Sequence, residues 1–220
     1  MSTVNPRYGE EYYRDEMKIE GEMFAWVSRL RGQKIQPYVL ETDSVFEFGV
    51  GNGVALSHIQ CAEKYGYDIN PFALTEAEQR GIKVLTSLEG IESKFDVAFS
   101  HHCLEHLTNP TECLLTLKRI LKAGGMLLIF VPYDEQRRYR RHIKSDTNHH
   151  LFSWTPHTLS NLIEDCGFTV ESVGLELFGY DRIAARTSLM LGAGELGMRV
   201  LRRLAHMIRR EREIRIVAKK

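Results

Sequence analysis

The sequence predicts an α/β domain with a mostly parallel, seven-stranded sheet and helices on both faces. Three observations carry that expectation. Residues Ser44 to Gly53 read Ser-Val-Phe-Glu-Phe-Gly-Val-Gly-Asn-Gly, a β-branched and aromatic run ending in glycines at alternate positions. Asp68 closes a second strand-like run, Lys64 to Tyr67, at 21 positions beyond Glu47. Short apolar runs then alternate with amphipathic stretches, the signature of parallel strands joined by helices.

Taken in order, Gly9 to Arg29 reads as one or two helices. Met17, Ile19, Met23, Phe24, Trp26 and Val27 give them an irregular apolar stripe. This segment is expected either to pack on the sheet or to act as a lid, with the tyrosines of Tyr8 to Tyr13 touching a ligand. Residues 1–43 are therefore set apart from the domain proper, 44–220. The expected strands are Ser44–Phe48, Lys64–Tyr67, Lys83–Leu85, Phe95–Ser100, Met126–Val131, Thr169–Leu175 and Glu213–Ala218. Helices are expected from Val54, Pro71, Pro110 and Thr155. Pro110 and Pro156 fit first helical turns, where a missing N–H costs nothing. An amphipathic helix from Leu196 to Arg210 separates the last two strands, with Val200, Leu201, Leu204 and Ile208 on one face. It forms a helical insertion near 180–212.

The glycine spacing narrows the ligand. A dinucleotide turn, G-x-G-x-x-G, would need glycine at position 54, which is Val. The pattern acid-x-G-x-G-x-G resembles instead the first motif of the class I S-adenosylmethionine-dependent methyltransferases, whose fold is Rossmann-like. Tyr65-Gly66-Tyr67-Asp68-Ile69-Asn70 is similar to that family's second strand and ribose-binding acid; the plain alternative for Asp68 is a turn residue before Pro71. Phe95 to Ser100 followed by Leu104-Glu105-His106 resembles its fourth strand and Leu-Glu-His helix start. Leu121-Lys122-Ala123-Gly124-Gly125 resembles its turn into the fifth strand. His150 to Thr155 and Cys166-Gly167-Phe168 continue the match, which covers roughly residues 44 to 176.

The resemblance implies S-adenosylmethionine as cofactor and methyl transfer as activity. It assigns cofactor contacts to Glu47, Gly49, Gly51, Gly53, Asp68, Ile69, Ser87, Leu88, Ser100 and His101. Many relatives have an acid where this chain has Ser87. His101, His102, His149 and His150 are the candidate catalytic bases, since histidine is the side chain most easily poised near neutral pH. In relatives that use no metal, the Glu-His pair orders the helix start, and no metal is expected here. The alternative is a divalent cation on His102, Glu105 and His106, as some similar O-methyltransferases use Glu-x-x-Glu-His.

Composition bounds the rest. The chain has 220 residues, with 29 Lys and Arg balancing 29 Asp and Glu. Its longest apolar run, Met126 to Val131, is too short to cross a bilayer. The N-terminus has no secretory pattern, and Cys61, Cys103, Cys113 and Cys166 lack C-x-x-C spacing, so a cytoplasmic protein is expected. Basic residues cluster at Arg137, Arg138, Arg140, Arg141 and Lys144. From Asp181 to Lys220 there are eleven Lys or Arg against four Asp or Glu. The expected acceptor is an oxygen on a small molecule or a phosphorylated or lipid-linked glycan. RNA is the less favoured alternative, and a non-catalytic binding protein the least. The 196–210 helix is a candidate for homodimer or membrane-surface contact.

Overall fold

A computed structural model describes residues 19–133 and 149–220. The lid tyrosines, His142 and the basic cluster Arg137 to Lys144 lie outside the described residues. Helix α1, Gly21–Ile35, is followed by a single 3-10 turn at Gln36–Tyr38. The sheet comprises β1, Ser44–Phe48; β2, Glu63–Tyr67; β3, Lys83–Leu85; β4, Phe95–His101; β5, Leu121–Pro132; β6, Thr169–Leu177; and β7, Arg212–Lys219. Between them run α2, Pro71–Gln79; α3, Pro110–Ile120; α4, Pro156–Asp165; α5, Asp181–Met190; and α6, Gly194–Ile208.

The strand order is β3-β2-β1-β4-β5-β7-β6. Strands β1 to β5 pair in parallel, and β7 runs antiparallel between β5 and β6. Each strand alternates its side chains between two packed faces. Leu127, Ile129 and Val131 of β5 join α3 and α4 through Leu114, Leu117, Leu159 and Ile163. Leu128 and Phe130 face the other way, toward Ile35 of α1 and Leu74 and Ala77 of α2. Beyond α1, Trp26 and Val27 pack with Ala184, Ala185 and Met198 of α5 and α6.

Local chemistry explains the element starts. Asn70 caps α2, Asn109 caps α3 and Thr155 caps α4, each followed by proline. Helix α1 runs six residues past Arg29 and stops before Pro37. The helix expected from Val54 is corrected: only one 3-10 turn forms there, Leu56–His58. The reason is length. Nine residues separate Gly53 from β2, and a helix that long would rise only about 13 Å, leaving nothing for the turns at either end. Helix α1 lies against this short crossover, with the Ser28 and Ser57 hydroxyls 2.8 Å apart. The insertion between β6 and β7 is two helices rather than one, hinged at Leu191 to Ala193.

Candidate active site

The ends of β1, β2, β4 and β5 and the start of β7 meet at one edge of the sheet, where ligands of open α/β folds bind. The glycine turn follows β1. The amides of Gly49 and Val50 donate to the Tyr67 carbonyl at 2.8 and 3.0 Å. Gly49, Gly51 and Gly53 take φ of +77°, +51° and +80°, which only glycine adopts freely. A Cβ on Gly49 would stand 2.6 Å from the Cys103 sulfur. Asp68 is positioned by this turn: it accepts from the Gly51 amide at 2.8 Å and the Asn70 amide at 2.9 Å. Burial raises its pKa, while the amides of Asn70, Gly51 and Ile69 act to lower it.

Glu47 is buried on β1. Burial pushes its carboxyl well above the usual range, against the charge of Arg31. Its Oε2 and the buried Ser100 hydroxyl have no hydrogen-bond partner among the described residues. Such orphaned polar atoms are costly unless a ligand completes them. Ser87 is exposed and accepts from the Glu89 amide at 3.1 Å. Leu88 is buried, and its carbonyl accepts from Arg119 at 2.9 Å.

The histidines sit around the end of β4. His101 is enclosed between His102, at 4.6 Å between ring centres, and Phe130, at 5.4 Å. His102 takes a left-handed backbone, φ +55°, and its amide donates to the Phe130 carbonyl at 2.9 Å. Its ring lies 3.9 Å from that of Phe178. His102 Nε2 is 2.8 Å from Glu213 Oε2, and His101 Nε2 is 3.5 Å from the same oxygen. Lys34 of α1 pairs with the other Glu213 oxygen. Glu213 is fully buried, which disfavours its charge; the close approach of His101, the hydrogen bond with His102 and the charge of Lys34 outweigh this and hold it well below the usual range. Burial, followed by His101, lowers His102 to about 3. The pair is therefore an ionised Glu213 with a neutral His102 donating through Nε2, so Nδ1 carries the free lone pair.

His102 Nδ1 lies 3.9 Å from buried Glu105 Oε1, and His106 Nε2 lies 3.8 Å from the same oxygen. The Glu105 carbonyl accepts from the amides of Leu151 and Phe152, which ties these two residues to this edge. His149 offers its carbonyl to His106 Nδ1 at 3.4 Å, and the His150 ring meets that of His106 edge-on at 5.1 Å. The trio His102, Glu105 and His106 does not close as one set of ligands. Glu105, His106 and His150 bring their ligand atoms within 4.8 Å of one another, as do His101, His102 and Glu213.

Burial, then the neighbouring His150, lowers His106 from 6.5 to about 4. The unfolded chain protonates this histidine while the fold holds it neutral. Its stabilisation is therefore complete above about pH 6.5 and is lost as pH falls toward 4, reaching about 3 kcal/mol. Urea midpoints at pH 7 and 4.5 should separate more in the wild type than in His106→Gln. Equal separations would remove this residue from the acid response.

The sequence reading missed Glu213 and Lys34 as site residues. The basic C-terminal segment is also more occupied than its composition suggests. Arg199 pairs with Glu195, Arg202 with Asp181 and Arg209 with Glu211. Arg212 stacks over Tyr133.

Comparison with known proteins accords with this geometry. A family profile described as a methyltransferase domain matches residues 13–173. A protein of Methanocaldococcus jannaschii is 34% identical over 87 residues; the match spans 38% of this chain and 42% of that curated relative. A Thermotoga maritima structure, described as a methyltransferase and possible histamine N-methyltransferase, superposes with a TM-score of 0.61 at 17% identity, covering 96% of this chain and 94% of that one. Phosphoethanolamine N-methyltransferase 2 of Haemonchus contortus, in complex with S-adenosyl-L-methionine, superposes with a TM-score of 0.64 at 15% identity, over 99% of this chain and 60% of that one. The chain belongs to the methyltransferase domain family, of the class I S-adenosylmethionine-dependent kind.

Proposed function

We propose that the protein is an S-adenosylmethionine-dependent methyltransferase acting on an oxygen of a small molecule, with a glycan or lipid-linked precursor as the substrate class. His102 is the general base and Glu213 positions it. The observation that carries this reading is the 2.8 Å His102–Glu213 contact beside the glycine turn; Cys103, next in the chain, packs on Gly49.

The residues present fit the cofactor. The unpartnered Glu47 oxygen suits a donor or cation, and Asp68 retains lone pairs for ribose hydroxyls beyond its bonds to backbone amides. Gly49, Gly51 and Gly53 let backbone approach, while Ile69, Ser87, Leu88, Ser100 and the backbone of His101 complete the cradle. When bound, S-adenosylmethionine supplies a methyl group on an excellent leaving group. The remaining work belongs to this chain: alignment, exclusion of water and proton removal. His102 Nδ1 takes the acceptor proton as the new oxygen–methyl bond forms, when the hydroxyl has become strongly acidic, so the low basicity that burial gives the ring suffices. Glu213, kept ionised by Lys34, stabilises the imidazolium that results and fixes its tautomer. Phe178 covers the ring. The enclosed ring of His101 supports His102, and His149 and His150 are the alternative bases.

Nitrogen methylation, as the names of the two structural neighbours indicate for those proteins, is the competing reading, since an amine needs no such base. RNA is disfavoured because Arg199, Arg202 and Arg209 are spent on carboxylates of the chain itself. A cation-assisted version would draw on Glu105, His106 and His150. The test uses methyl-labelled cofactor with glycan and lipid-linked acceptors, the product read by NMR. An O-methyl product whose formation slows in His102→Ala supports the proposal; an N-methyl product overturns it. Asp68→Ala should weaken cofactor binding by about 1–3 kcal/mol, the cost of hydroxyls left unpaired. Calorimetry showing unchanged affinity would remove Asp68 from the site.

A further inference from the structure

We propose that the outer face of α5 and α6 docks on an anionic phospholipid surface. This inference is independent of the acceptor named above. Helix α6 turns Met198 and His206 inward and leaves Leu196, Val200, Leu204, Met207 and Ile208 along one outer stripe. Met207 is 82% and Ile208 90% exposed, and Met190, at the end of α5, is 80% exposed. Side chains of this size, contiguous and open to solvent, are characteristic of interaction surfaces.

The charges select the occupant. Arg186, Arg203 and Arg210 are exposed around the stripe and form no ion pair among the described residues. The acids nearby are already committed: Glu195 to Arg29 and Arg199, Glu211 to Arg209, and Asp181 to Arg31 and Arg202. The uncompensated charge on this face is therefore all positive. A second copy meeting it across a two-fold axis would oppose arginine with arginine. An anionic headgroup layer complements the arginines while the acyl boundary receives the stripe, the arrangement of an interfacial amphipathic helix. The face also reaches the site. Ile208 precedes Glu213 by five residues, and the Arg212 carbonyl accepts from the Tyr133 amide at the end of β5.

The experiment is flotation of the full chain with vesicles of phosphatidylcholine, with and without phosphatidylglycerol. Binding is expected on the anionic vesicles alone and should fall as salt rises. The double variants Met207→Asp/Ile208→Asp and Arg203→Glu/Arg210→Glu should each weaken it by about tenfold or more. Both should keep the wild-type melting temperature, since the altered side chains are exposed. The proposal is overturned if the wild type ignores anionic vesicles, or if the variants bind as well as it does. Sedimentation revealing a dimer that Met207→Asp/Ile208→Asp dissolves would give the face to a second copy and overturn it equally.

Discussion

Replacing Glu213 by Ala should cost about 3–5 kcal/mol of folding stability, because it strands Lys34 in a largely buried site without its counter-charge. The same change removes the group that fixes the His102 tautomer. Lys34→Met in that background should recover part of the stability, since no uncompensated charge then remains, but none of the turnover. His102→Ala should slow methyl transfer by about 10²–10⁴-fold, the usual contribution of a general base, and leave cofactor affinity within about threefold if the base acts only on the acceptor. Urea denaturation reads the first effect and single-turnover kinetics the second. A Glu213→Ala protein with wild-type stability would show that Lys34 reaches water, and an active His102→Ala would pass the base to His149 or His150.

Gly49→Val should abolish cofactor binding. The position requires φ near +77°, which a β-branched residue adopts only under strain. The new side chain would also enter the space of Cys103, whose sulfur lies 2.6 Å from where the Cβ must go. Left-handed strain of about 1–2 kcal/mol and overpacking of about 1–3 kcal/mol together exceed what the two amide bonds to Tyr67 can hold in place. The turn must move, and Asp68, tied to the Gly51 amide, moves with it. A Gly49→Ala/Cys103→Gly pair separates the causes: it removes both the Cys103 sulfur and the Cβ, which stand 2.6 and 2.7 Å from the new methyl, and keeps the backbone strain at position 49, so partial affinity should return. Calorimetry finding Gly49→Val within about threefold of wild type would contradict the steric argument.

Strands β1 and β5 were legible because each is a largely apolar run that ends at glycine or proline, and β1 and β3 have the expected limits. The caps at Asn70, Asn109 and Thr155 were equally local. The crossover after Gly53 was not, because its apolar pattern fits a helix whereas the length available between two parallel strands does not. Glu213 was hidden for a different reason. It lies 111 positions from His102, and only the antiparallel register placing it opposite Pro132 brings it to the site. Alternation along β7 gives its face but not its partner. The change of ligand set at Glu105 has the same origin, since Glu213 claims the His102 ring from a strand that local sequence cannot align.

The position of β7 sets an order of assembly. Among the described residues, strand β6 joins the sheet only through β7, which follows it in the chain after two helices. On the ribosome, β6 is complete some 35 residues before β7 begins, a delay of about 2–7 s at ordinary synthesis rates. Through that interval the edge of β5 is open and β6 has no strand to join. The most sequence-distant pairing in the sheet is thus also the one that brings Glu213 to His102, so this carboxylate joins the site last, after His102, the glycine turn and Asp68 are already in place.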